Sequence, residues 1–141
     1  MTMNIKRFAY WITTAALLFV MLAGALGELT RQWGTIETHT VLGYPLYVLN
    51  IIGIWKILGA LILAVPGLPR LKEWAYAGMF FDITGALLSH AFVGTGTIHL
   101  LETGSITLLV VASWALRPSS RTFGNLTFPT FSFVKRPSVL S

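Results

Sequence analysis

A few side chains able to carry charge or move protons sit where the chain is otherwise apolar. Lys56, Asp82, His90 and Glu102 lie within long hydrophobic runs, and Glu28 closes another. Ionisable groups in hydrocarbon are costly and point by default to function. Lys56 and Asp82 have opposite signs, and helical geometry places them at one level. Lys56 falls about ten residues, or ~15 Å, from one end of its run at 1.5 Å per residue. Asp82 falls ~16 Å from the corresponding end of the next run by the same rise. Opposite charges at one depth on consecutive antiparallel helices can neutralise each other, so the two are expected to pair in the bundle interior. Such a pair could serve chemistry or only fix packing.

A second polar layer is expected nearer the outer face. Asn50, His90 and Glu102 each lie three to four residues from the outer end of their runs, with Glu28 at a similar level. One polar group per helix at one depth could line an outward-facing pocket. Glu28, His90 and Glu102 could exchange protons there, histidine near neutrality. The rival reading is four wet interfacial residues. His39 and His99 lie in or beside loops and read as solvated. A metal site from His90, His99 and Glu102 has weak support from spacing, and no metal is expected.

The elements that position these groups are four apolar runs at residues 8–27, 46–65, 74–93 and 98–116. About 20 apolar residues cross the hydrocarbon core as a helix. The runs are continuous, whereas barrel strands alternate polar and apolar positions. Backbone groups in lipid must be satisfied within the segment, which a helix achieves. The fold expected is an all-α integral membrane protein, a four-transmembrane-helix bundle spanning residues 1–118. Gly24, Gly27, Gly53, Gly59, Gly78, Gly85 and Gly104 are expected to allow close helix contact. The first run has a charged start and small residues near its end, as a signal peptide would. Its length exceeds the usual h-region of about 7–15 residues, which favours a retained helix.

Charge sets the expected orientation. Lys6 and Arg7, then Arg70 and Lys72, then Arg117, Arg121, Lys135 and Arg136 fall on one side of a four-helix topology. The other side has Arg31 alone. The positive-inside rule puts the basic side, and with it both termini, in the cytoplasm. Trp11, Trp33, Trp74 and Trp114 fall near run ends, as interfacial aromatics do. Residues 119–141 are rich in Ser, Thr, Phe and Pro and read as a flexible cytoplasmic tail. There Phe123, Phe128, Phe131 and Phe133 with basic neighbours could lie on the anionic leaflet.

Composition excludes several classes. The 141 residues are 55% hydrophobic and only 11% charged, too few charges to cover a soluble surface. The net charge of +5 is scattered beside apolar runs rather than clustered, so no nucleic-acid partner is expected. With no cysteine there is no disulfide framework, thiolate metal site or CxxC redox chemistry.

The stretch at residues 43–94 closely resembles the DoxX-like family of small bacterial membrane proteins. Its most specific block is PGLPRLKEWAYAG at residues 66–78. GALGEL at residues 24–29 and SWALRP at residues 113–118 fit the family's ends, so the resemblance covers residues 8–118. It implies a four-helix bundle in the bacterial inner membrane. The wider group is similar to the small membrane subunit of thiosulfate:quinone oxidoreductase. No catalytic motif carries over residue by residue.

The resemblance and the mid-membrane polarity together imply a small subunit of a quinone-linked oxidoreductase complex. Lys56, Asp82 and His90 would contact the quinone, the one cofactor expected. There is no haem motif or dinucleotide-binding glycine signature, and no self-contained catalytic motif. Electrons would therefore come from another polypeptide. The partners expected are lipid and either a second protein or further copies of this chain. The alternatives are a non-catalytic membrane anchor or assembly factor and, ranked last, a small transporter, for which no inverted repeat is visible.

Overall fold

The computed structural model describes residues 4–122. Five α-helices follow in order: α1 (Ile5–Thr30), α2 (Thr35–Val41), α3 (Tyr47–Ala64), α4 (Pro69–Val93) and α5 (Thr97–Ala115). A single 3₁₀ turn closes the described chain at Ser119–Arg121. No strand occurs among the described residues. The helices α1, α3, α4 and α5 are long and apolar enough to cross a membrane, matching the four expected runs. The tail expected from residue 119 lies, beyond Thr122, outside the described residues, as do its four phenylalanines.

Local chemistry sets the helix ends. Pro69 opens α4, where its fixed φ suits the first turn and its missing amide costs nothing. This start is five residues earlier than expected, so Arg70 and Lys72 belong to a helix rather than a loop. The tight turn before α2 passes through positive φ at Arg31, Trp33 and Gly34. That turn folds α2 back toward α1. Gly27 makes this possible, because a β-carbon there would stand 2.8 Å from the Trp33 ring. The Thr35 hydroxyl then donates to the Gly27 carbonyl at 3.1 Å.

The four long helices close a ring in which α1 packs on α3 and α5, and α4 packs on the same two. Gly53 lets α3 approach α1, since a β-carbon would meet Leu29 at 2.9 Å. Gly78, Gly85 and Gly104 face open space instead, so the expected close contacts do not form there. Leu17, Met21, Leu63, Met79 and Val110 fill the interior. Among them Ser113 meets both Thr14 and Tyr76 at 2.8 Å, joining α1, α4 and α5 through hydroxyls. Phe19, Trp55, Phe81 and Phe92 point outward and are exposed. Such a surface suits lipid, where packing and internal hydrogen bonds hold helices together.

Both ends of the described chain lie at one end of this bundle, here called the terminal end; the opposite end carries α2 and is called the far end. At the terminal end Lys72 is 1% exposed. Its ammonium donates to the carbonyls of Ile62, Leu63 and Val65. The last carbonyls of a helix have no amide partner, and a cation there also suits the helix dipole. Lys72 thus caps α3 from α4. Arg121 adds a donor to the Leu63 carbonyl at 3.1 Å and lies over the Trp11 ring. Arg117 pairs with Glu73 at 2.7 Å and covers the Tyr76 ring.

Lys72→Met keeps the stem and removes the donors. It is expected to lower the unfolding free energy by about 1–3 kcal/mol, the cost of leaving buried acceptors unmade. Detergent-driven unfolding of the purified protein reads this directly. An unchanged midpoint would mean that water serves the α3 carbonyls.

Candidate functional site

Near the far end, α1, α3 and α4 bring three charges together. The Lys56 ammonium, on α3, donates to Oε1 of Glu28 on the last turn of α1. It also stands 3.6 Å from Oδ2 of Asp82 on α4. All three side chains are largely shielded, Glu28 most of all at 9% exposed. The expected Lys56–Asp82 approach is present, but Glu28 is the closer partner. The sequence reading placed Glu28 in a separate outer layer. The lysine stem, directed toward the far end, spans that difference in depth.

The three charges border a small cavity of about 240 Å³. His39 and Tyr44 line it as well. His39, expected to be solvated, is carried there by α2. Its Nδ1–H donates to the Thr35 carbonyl at 3.1 Å, which leaves the Nε2 lone pair free. Burial holds the imidazole below its ordinary range, outweighing the Thr35 contact, which favours the charged ring. Tyr44 shares a 2.6 Å hydrogen bond with Ser89 on α4.

Lys56 and Asp82 also line a second opening, together with Glu73. This is an apolar cleft of about 940 Å³ between α3 and α4. Trp55, Trp74 and Phe81 line it with Gly59 and Gly78; Gly78 faces open space, whereas a β-carbon at Gly59 would meet Met79 at 3.0 Å. The walls are exposed apolar residues, so in a bilayer the cleft opens to lipid. Helical spacing in the sequence carries its signal: Trp55 and Gly59, like Trp74 and Gly78, are four residues apart on one face.

The remaining expected site residues do not join the triad. His90 is buried, donates to or accepts from the Thr95 hydroxyl at 2.7 Å, and stacks on His99 with ring centroids 4.9 Å apart. Glu102 approaches His99 at 4.0 Å and is exposed. Asn50 is exposed on α3. The expected single pocket is therefore two separate groups, Glu28 with the triad and His90 with His99 and Glu102, and Asn50 belongs to neither. Shared depth does not ensure a shared face. Among the described residues, no group of three or more His, Asp or Glu is arranged to hold a metal ion.

Four long apolar helices around an internal charge cluster define a multi-pass membrane protein. The family model described as the DoxX-like family matches residues 12–113, more than two thirds of the chain. The chain belongs to that family. No curated protein and no solved structure is matched by it.

Two predictions follow from this geometry. Removing one partner of a buried ion pair costs about 3–5 kcal/mol, so Lys56→Met should be strongly destabilising. Adding Glu28→Gln should recover more of that loss than adding Asp82→Asn, because Glu28 is the nearer partner. Equal recovery in unfolding experiments would refute that ranking. For His39, the folded ring resists protonation more than the unfolded one. The seating of α2 is therefore fully favourable above the ordinary histidine value of 6.5 and weakens as pH falls below it. The imidazole resonance lost in His39→Gln should titrate below 6.5; a midpoint at or above that value would mean a solvated ring.

Proposed function

We propose that the protein is a small membrane subunit of a quinone-linked oxidoreductase complex, and that the α3–α4 cleft receives the quinone. The observation that carries this reading is a lipid-facing apolar cleft whose lining includes Lys56 and Asp82. Ligand sites are typically about 300–1,000 Å³, largely apolar, with few polar groups that fix orientation. The cleft has this character, and Lys56 and Asp82 in its lining offer a donor and a proton-accepting group.

The residues fit a flat, lipophilic molecule bearing carbonyl oxygens. Asp82 Oδ2 is buried without a hydrogen-bond partner. Lys56 has ammonium hydrogens beyond the one directed at Glu28 and can donate to a carbonyl oxygen. Trp55, Trp74 and Phe81 can pack on the ring faces. Quinone would supply the redox chemistry, with electrons from another polypeptide. Lys56 would orient the headgroup, and Asp82 would give or take a proton at its oxygen. His90 does not line the cleft.

In this reading the protein lies in the bacterial inner membrane with the terminal end, rich in Lys and Arg, in the cytoplasm. Residues 1–118 form the membrane unit of this reading, and the chain leaves it on the cytoplasmic side. The short connections between spans favour a second reading, an anchor or assembly factor. Beyond the spans the far end adds only seven-residue α2 and its flanking turns.

Trp55 and Trp74 make the cleft self-reporting. A short-chain quinone titrated into the protein in lipid nanodiscs should quench their fluorescence saturably. Gly78→Leu should fill the cleft and weaken this at least tenfold, with no clash because the glycine faces open space. Quenching that does not saturate, or that Gly78→Leu leaves unchanged, would sink the quinone reading and favour the anchor.

A further inference from the structure

The triad does not balance. One ammonium faces two carboxylates, so the fully ionised cluster has one negative charge in excess. Glu28 Oε2 and Asp82 Oδ2 are both buried without a hydrogen-bond partner. The other titratable groups at the cavity do not supply the missing charge. His39 on α2 is held neutral, and Tyr44 after α2 can only lose a proton. α1 contributes Glu28, α3 contributes Lys56 and α4 contributes Asp82.

Position adds to the imbalance. Glu28 lies in the last turn of α1, where the helix dipole disfavours negative charge. An unneutralised charge in a medium of low dielectric is expensive, and the usual outcome is protonation of the group.

We propose that Glu28 and Asp82 form a proton-binding site that holds one shared proton at neutral pH. The proton reaches it from the far end through the cavity lined by His39 and Tyr44. It forms an O–H bond on one carboxyl oxygen and leaves the cluster neutral. No electron moves. Both carboxyls face the same ammonium, so their titrations are linked through it and the proton belongs to the cluster rather than to one residue.

The cavity provides the route. His39 turns its unprotonated Nε2 edge away from Thr35, and the ring borders the same space as both carboxylates. Gly85 lines that space without a side chain. Lys56 and Asp82 border the lipid cleft as well, so the cluster lies between that cleft and the cavity that holds His39 and Tyr44. Delivery of the proton to a molecule in the cleft rests on the quinone reading above. The charge count does not.

The test is infrared spectroscopy of the full chain in nanodiscs without quinone, following the carbonyl stretch of a protonated carboxylic acid. Wild type should show one such group at neutral pH, lost at high pH. Glu28→Gln and Asp82→Asn should each abolish it, since either leaves a balanced pair. Lys56→Met, where it folds, should show two. The chain's other carboxylates do not confuse the count, because Glu37 and Glu102 are exposed and Glu73 pairs with Arg117.

Transfer to heavy water reads the route. Gly85→Leu should slow the deuterium shift at least tenfold, and Gly78→Leu should leave it unchanged. Absence of the band in wild type, or its persistence in either single carboxyl variant, overturns the shared proton. Slowing by Gly78→Leu and not by Gly85→Leu overturns the route. Failure of the tryptophan quenching leaves these readouts intact, so the two ideas fail separately.

Discussion

One ammonium between two carboxylates organises the far half of this bundle. Lys56 could not stand alone in hydrocarbon, and α1 and α4 each bring it a counter-charge. The pairing demands close helices. Gly53 supplies that closeness between α3 and α1, where Leu29 and the Ala25 carbonyl occupy the space a side chain would take. The cluster joins the last turn of α1 to the middle of α3 and α4, and the turn from Arg31 to Gly34 folds a short helix beside the cavity it borders.

The two ends of the molecule use charge differently. At the far end the charges meet one another and border space. At the terminal end Lys72, Arg117 and Arg121 meet carbonyls, a single carboxylate and aromatic faces. The first arrangement leaves acceptors without partners; the second ties loose helix ends. Buried carboxylate oxygens without hydrogen-bond partners thus lie in the far half, and the cations that cap helix ends lie at the terminal end.

Much of this was legible in the sequence because a bilayer imposes simple rules. Four spans follow from continuous apolar runs, and the level of Lys56 and Asp82 follows from the helical rise. Depth arithmetic treats each side chain as a point, however, so it separated Glu28 from a lysine whose stem reaches it. It also ignores helical phase, which is why Asn50, His90 and Glu102 were grouped at one pocket. Helix α2 has too few residues to show apolar periodicity. Its place depends on a contact between the bare Gly27 and the Trp33 ring, which no local pattern reveals. The cleft owes part of its space to the missing side chain at Gly78, and a hydropathy reading sees glycine as merely mild.

Lys72 serves two masters. In a linear reading it is one more basic residue in a short turn, exchangeable for any other cation. In the fold its three ammonium hydrogens converge on carbonyls from three residues at the close of α3. A guanidinium would keep the charge while presenting a flat fork suited to a carboxylate rather than to such a converging set. The demands of membrane insertion and of folding thus fall on a single side chain with unequal tolerance. Insertion reads only the sign of its charge, whereas the finished bundle also reads its shape.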